Sequence, residues 1–292
     1  MLPRGVYAAL VTPFDADGEV RFDAVVTNLG RLDRTALRGY WVNGEFRLLP
    51  TVERLRVLGA VLAQRTRDKV VIAGCSAEST REAIELARRA AGLGAELASL
   101  SLPSAYLRRV TPAVIEAHLR GVADASPIPV VLYNNPAQAA GLNLAPEVLA
   151  RLASHPNIAG LKDSAADGWR ERFQAASPGL RVLAGTPELA LDLLRQGGAG
   201  LILTIANVLP GACVRLYEAF QAGRAGEAED LVRRLTAIYA RTSVAFGVAG
   251  VKAAMDVVGM VGGSPRRPYL AVDPAQRAAV RQAIEESGLA EL

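Results

Sequence analysis

The chain has 292 residues, of which 51% are hydrophobic and 21% charged. That is enough apolar material for a large core, at a length α/β barrels commonly fill as one domain. A net charge of +4 comes with arginines scattered along helical faces (Arg81, Arg88, Arg89, Arg233, Arg234), without blocks of like charge or interleaved aromatics, which argues against a nucleic-acid surface. Cys75 and Cys213 are too few and too far apart for a disulfide framework. The only two histidines, His118 in a helical run and His155 before Pro156, stand in no metal-ligand spacing and are expected at the surface or at helix ends. No apolar stretch approaches the ~18 residues of a membrane span. The expectation is a soluble, cytoplasmic protein with no metal, no cofactor and no membrane partner.

Short apolar runs alternate with helical patterns along the chain. The first two runs, residues 6–11 and 37–42, lead into Thr12-Pro13 and Asn43-Gly44-Glu45. The third, 69–73, leads through Gly74 to Ser79-Thr80-Arg81-Glu82, a capping box in which hydroxyl and carboxylate each satisfy an orphan amide. Ala83, Ile84, Ala87, Ala90 and Ala91 follow as one apolar stripe, and Gly92 and Gly94 supply the stop. The fourth run, 96–100, precedes Pro103 and Tyr106, and Thr111-Pro112 opens the next helix. The fifth, 129–134, closes on Tyr133-Asn134, and the sixth, 158–162, closes on Lys162. The seventh, 181–184, precedes Gly185 and the helix start Thr186-Pro187, with Gly197 and Gly198 as stop signals. The eighth, 200–205, precedes Ala206-Asn207, and Asp273-Pro274 opens a late helix.

The runs are rich in Val, Ile and Leu and lack clean alternation, as parallel strands buried on both faces do. Eight of them between helices predict an α/β fold, a (β/α)8 TIM barrel, in preference to an open doubly wound sheet. No Gly-x-Gly-x-x-Gly follows an early strand, which counts against dinucleotide binding. We expect a single domain over 1–292, with the barrel in 1–210 and the last barrel helix plus a helical C-terminal extension in 211–292.

In such a barrel, chemistry sits at the C-terminal ends of the strands. A buried sheet needs neither an amine nor a phenol for packing, yet adjacent runs end in Lys162 and Tyr133. An ammonium removed from water loses its proton more readily, which exposes a nucleophilic amine for Schiff-base formation with a carbonyl substrate. A neighbouring phenol is a plausible proton carrier for that step.

Taken in order, Ala9-Leu10-Val11-Thr12-Pro13-Phe14, Asn43-Gly44-Glu45-Phe46, Ser79-Thr80-Arg81, Tyr133-Asn134-x-Pro136, Gly160-Leu161-Lys162-Asp163-Ser164, Ala206-Asn207-Val208-x-Pro210 and Arg267-Pro268 resemble the dihydrodipicolinate synthase/N-acetylneuraminate lyase family over nearly the whole chain. The resemblance implies a pyruvate-dependent class I aldolase on a TIM barrel, working as a homo-oligomer (tetramer or dimer) on a small-molecule 2-oxo acid. It implies Lys162 as the Schiff-base lysine and Tyr133 as the proton carrier. Asn43, Gly44, Gly185, Ile202, Tyr106 and Gln138 are implied as substrate-binding residues.

Three departures bear on substrate. Where the family carries hydroxyl-bearing residues before Asn-Gly-Glu, this chain has Trp41-Val42. Where it carries two consecutive aromatics after the strand-four proline, Ala105 stands first and Tyr106 second. The arginine that dihydrodipicolinate synthases present to a second carboxylate is absent, and Gln138 is the nearest match; a neutral amide gives no bidentate charged grip. The missing arginine points away from lysine biosynthesis, and the Asn43-Gly44-Glu45-Phe46 ending resembles the 4-hydroxy-2-oxoglutarate or 2-keto-3-deoxy-sugar-acid aldolase branches. The alternative is a catalytically weakened member serving as a 2-oxo-acid-binding or assembly protein, and borohydride trapping on Lys162 separates the two.

Overall fold

The computed structural model describes residues 1–105, 107–176 and 179–289. Strands β1 (Gly5–Ala9), β2 (Gly39–Val42), β3 (Val70–Gly74), β4 (Leu97–Ser101), β5 (Val130–Asn134), β6 (Ile158–Asp163), β7 (Arg181–Ala184) and β8 (Gly200–Leu203) form a closed barrel in chain order. Between them run α1 (Phe22–Leu32), α2 (Thr51–Gln64), α3 (Thr80–Leu93), α4 (Pro112–Ala125), α5 (Pro146–Ala153), α6 (Trp169–Ala176) and α7 (Pro187–Arg195). After β8 come α8 (Pro210–Gln221), α9 (Ala225–Tyr239), α10 (Ala245–Val257) and α11 (Pro274–Ser287), the helical C-terminal segment. Each apolar run of the sequence is a strand. β8 stops at Leu203, short of residue 205, because Ile205–Asn207 turns tightly and the Asn207 side chain donates to the Ala9 carbonyl at 2.7 Å. No helix among the described residues is long and apolar enough to cross a membrane.

By internal contacts the chain falls into two compact groups. The first comprises Met1–Arg4 and Val70–Ile202. Leu2 is fully buried in it, and its backbone carbonyl accepts from Arg181 Nη1 at 2.8 Å. Gly160 makes room there: a Cβ on it would lie 2.5 Å from the Arg181 carbonyl oxygen and 2.7 Å from Leu2 Cδ2. Helix starts follow the capping signals in part. Ser79 Oγ accepts from Glu82 N at 3.3 Å and Thr111 Oγ1 from Val114 N at 3.3 Å, whereas Thr186 makes no side-chain cap. Gly94 and Gly197 terminate their helices with φ of 99° and 95°; Gly92 stays inside α3.

Both histidines are buried: His155 lies at a helix end as expected, just past the C-cap Ser154 of α5, whereas His118 sits inside α4, contrary to the surface or helix-end expectation. His118 Nδ1 bonds Thr80 Oγ1 at 2.9 Å, joining α4 to α3, and His155 Nε2 bonds Asp124 Oδ1 at 2.9 Å. A helical run with apolar residues at three- and four-residue spacing places His118 on the stripe that faces inward, where desolvation lowers its pKa.

The second group comprises Gly5–Lys69 and Leu203–Leu292. Its most unusual feature is Lys252, a 1% exposed lysine inside the apolar helix α10. Its ammonium donates to the carbonyls of Thr12 and Ser264, the latter at 3.0 Å, and stands 4.6 Å from the Phe14 ring centroid. The Thr12 amide in turn donates to Glu45 Oε2 at 2.7 Å. Burial pushes the Glu45 carboxyl up, against the opposing pull of Lys252, the Thr12 amide and Arg266. α11 opens with a reciprocal capping box between Asp273 and Gln276.

Candidate active site

β5 and β6 pair in parallel with Tyr133 opposite Lys162 and Asn134 opposite Asp163. Successive strand residues point to opposite faces, so each rung of this ladder has one character. Tyr133 and Lys162 share the barrel-facing side; Asn134 and Asp163 share the side facing α6, where Arg172 meets Asp163. The Lys162 amine stands 4.3 Å from the centroid of the Tyr133 ring. Lys162 is 4% exposed, and burial lowers its pKa from the ordinary 10.5 to about 7. A large fraction of the amine is therefore neutral and nucleophilic near neutrality. The Asn135 side-chain amide donates to Tyr133 Oη at 2.7 Å, which occupies an acceptor site on the phenol and directs its own hydrogen elsewhere.

The strand ends are held rigidly. The Gly185 amide, just after β7, donates to the Asp163 carbonyl at 2.7 Å. Its backbone comes so close to Ser164 that a Cβ would lie 1.9 Å from Ser164 Oγ. The loop after β4 is pinned by Glu78, whose Oε2 accepts the amides of Ser104 and Ala105, each at 2.7 Å. Asp163 bonds Arg172 Nε at 2.7 Å and Asn134 Nδ2 at 2.9 Å.

Of the residues implied by the sequence, Lys162, Tyr133 and Gly185 come together at the ends of β5, β6 and β7. Ile202 is a fully buried β8 residue. Gln138 lies exposed in the turn after β5, with its amide donating to the Asn135 carbonyl at 3.0 Å. Tyr106 lies outside the described residues. In the second group, Asn43 follows β2 with φ 67°, buried, its Nδ2 donating to the Arg54 carbonyl at 3.1 Å; Gly44 is half-buried beside it. The Cys213 thiol, pushed up to about 12 by burial, carries no nucleophile at neutral pH. The reasoning from sequence missed Asp163, Arg172 and Lys252. The available signals were a carboxylate directly after the strand-end lysine and a lysine within Val251-Lys252-Ala253-Ala254.

A parallel eight-stranded barrel with a desolvated lysine and a phenol on neighbouring strand ends is, as a class, a barrel enzyme with chemistry at its strand ends. The chain matches the model of the Dihydrodipicolinate synthetase family over residues 2–287, and it belongs to that family of carbon–carbon lyases. It is 36% identical to a mitochondrial protein of Emericella nidulans named a probable 4-hydroxy-2-oxoglutarate aldolase, over 97% of this chain and 94% of the relative. It is 33% identical to the L-threo-3-deoxy-hexylosonate aldolase of Hypocrea jecorina, over 98% and 96%. Among solved structures it is similar to YagE, a prophage protein of the dihydrodipicolinic acid synthase family from E. coli K12 in complex with pyruvate. That likeness has a TM-score of 0.91 and 26% identity over 99% of this chain and all of the other.

Proposed function

We propose that this protein is a class I aldolase that forms a Schiff base between Lys162 and pyruvate or a related 2-oxo acid. The observation carrying the proposal is the desolvated Lys162 amine held 4.3 Å from the Tyr133 ring. The neutral amine adds to the keto carbon, and the resulting carbinolamine loses its hydroxyl as water when Tyr133 delivers a proton to the departing oxygen. The Tyr133 phenolate left by that transfer takes the proton of the aldol hydroxyl, the iminium accepts the electron pair of the carbon–carbon bond that breaks, and the aldehyde fragment leaves. The enamine left on Lys162 takes up a proton at carbon, and water releases pyruvate and restores the amine. Asn135, donating to the phenol oxygen, orients Tyr133 for these transfers.

The substrate class follows from what the chain lacks and what its relatives are named for. With Gln138 at the nearest match to the arginine of dihydrodipicolinate synthases, a second distal carboxylate has no charged partner there. The absent arginine argues against dihydrodipicolinate synthesis, while the Asn43-Gly44-Glu45-Phe46 ending and the names of the Emericella and Hypocrea relatives favour 4-hydroxy-2-oxoglutarate or 2-keto-3-deoxy-sugar acids. Asn43, Gly44, Gly185 and Ile202 are proposed to line the substrate, together with Tyr106 and Gln138. A cytoplasmic homo-oligomer is the proposed working form, resting on the two free cysteines and on family likeness.

Sodium borohydride with pyruvate is the direct test: a mass increase localised to Lys162 is expected in the parent and should vanish in Lys162→Arg, which keeps the charge but never offers a neutral amine. Trapping of the Arg variant at the parental level would remove Lys162 from the mechanism. A parent that is trapped but cleaves no aldol would favour the 2-oxo-acid-binding alternative.

A further inference from the structure

The rung of the sheet behind the reacting lysine is fastened from the helix layer. Asp163 and Arg172 are 1% and 2% exposed, and no packing requirement calls for an ion pair there. An apolar pair of similar volume often serves stability as well or better. What the pair does have is an unusually complete set of directed bonds. Arg172 Nε donates to Asp163 Oδ2 at 2.7 Å, and its Nη2 reaches Asp163 Oδ1 at 3.3 Å, Ala165 O at 3.2 Å and Asp167 O at 2.8 Å. Asp163 Oδ1 also accepts Asn134 Nδ2 at 2.9 Å and the Ala165 amide at 3.1 Å. Asn134 extends the lattice: its Oδ1 accepts the Leu144 amide at 2.9 Å and its carbonyl accepts Ser164 N at 2.9 Å.

These bonds converge on the two residues that directly follow Tyr133 and Lys162. A shift of Asp163 along or across the strand moves the Cα of Lys162 with it, because one peptide joins them. The same holds for Asn134 and Tyr133.

We propose that Arg172 is a positioning residue for the lyase reaction: through Asp163 and Asn134 it fixes the ends of β6 and β5, so that the Lys162 amine and the Tyr133 phenol meet the substrate carbonyl in register. The proposal rests on Lys162 being the Schiff-base lysine. Arg172 itself touches no reacting atom. Its neighbour Arg170 ion-pairs with Asp192 at the surface, so only the residue turned inward has this role. Misplacing a reacting group by about 1 Å costs on the order of 100-fold in rate, which sets the scale of the effect.

The test measures how fast pyruvate becomes borohydride-trappable on Lys162, by quenched-flow mass spectrometry, per folded molecule and well below each protein's unfolding midpoint. The double variant Asp163→Asn/Arg172→Gln removes both charges at once and leaves no buried ion unpaired. Imine formation in it should slow by roughly 10- to 100-fold. Arg172→Lys should recover part of the rate, since an ammonium can hold the carboxylate but cannot reach both backbone carbonyls from the same plane. A merely structural Arg172 would lower the unfolding midpoint and leave the rate per folded molecule at the parental value; that result overturns the proposal. Should the double variant not fold, Arg172→Lys decides alone: a several-fold slowing is expected, and parental speed is the overturning result. A parent that pyruvate and other 2-oxo acids fail to modify brings down the Schiff-base function itself. A trapped parent with equally fast variants brings down only the role of Arg172.

Discussion

Replacing Lys162 by methionine should stabilise the protein at neutral pH while abolishing its chemistry. The buried amine has its pKa lowered from 10.5 to about 7 by desolvation. In the unfolded chain a lysine keeps its proton up to about pH 10.4. Between about pH 7 and 10.5 the unfolded state therefore binds a proton that the folded state does not, and stability rises with pH across that window. Below pH 7 both states carry the proton, and the fold bears the whole cost of the buried ammonium. A difference of about 3.5 pH units at about 1.36 kcal/mol each puts that cost at about 5 kcal/mol. At pH 9 about 2 kcal/mol remains, and by pH 10.5 almost none. Methionine fills nearly the same volume without a charge. Urea unfolding of parent and Lys162→Met at pH 6.5, 8 and 9.5 is the assay, since other titrating groups cancel in the difference. The variant should be more stable by several kcal/mol at pH 6.5, with the gap closing as pH rises. A gap that is absent, or independent of pH, would mean that the amine is not desolvated and that its nucleophilicity has another origin.

Tyr133→Phe keeps the ring against Lys162 and removes the proton carrier, so imine formation should slow by about 10²–10⁴-fold with little change in unfolding midpoint, as read by trapping kinetics and urea titration. Gly160→Ala should destabilise by about 1–3 kcal/mol, because its methyl would meet the Arg181 carbonyl and Leu2 with no flexible side-chain end to yield on the backbone side; equilibrium unfolding reads this directly. Lys252→Met should cost about 1–3 kcal/mol at pH 8 by removing the ammonium's bonds to the Thr12 and Ser264 carbonyls and one of the two cations that act on Glu45, and the part owed to Glu45 should shrink at lower pH as its carboxyl takes up a proton. Unfolding of that variant at two pH values checks both the size and the sign.

The fold was legible because parallel strands buried on both faces read as unbroken apolar runs, and eight of them with helices between leave few alternatives. Lys162 and Tyr133 were legible for the same reason in reverse: an amine and a phenol closing such runs stand out. That they face each other followed from their places at adjacent strand ends; that they share one rung did not, since register is set by pairing and leaves no mark in either run alone. Arg172 was hidden in Trp169-Arg170-Glu171-Arg172, which looks like a solvated helical face. Only packing decides that Arg170 turns outward to Asp192 and Arg172 inward to Asp163. Thr186 showed the opposite failure: a capping side chain before a proline whose hydroxyl makes no cap. His118 was misplaced because a lone polar residue in an amphipathic pattern was weighed by its type and not by its position on the stripe.

The two-faced rungs at the ends of β5 and β6 make the chemistry a matter of parity. One residue inserted or deleted within β6 ahead of Lys162 would turn Asp163 towards the Tyr133 phenol and present Lys162 to Arg172, exchanging an amine for a carboxylate inside the barrel and opposing two cations outside it. The change would be lethal to both chemistry and folding without altering the composition of the site. Length variation is thus open to the connecting loops and closed to this strand. Libraries built to alter substrate choice should keep Tyr133, Asn134, Asp163 and Arg172, and should leave the number of residues in β6 unchanged.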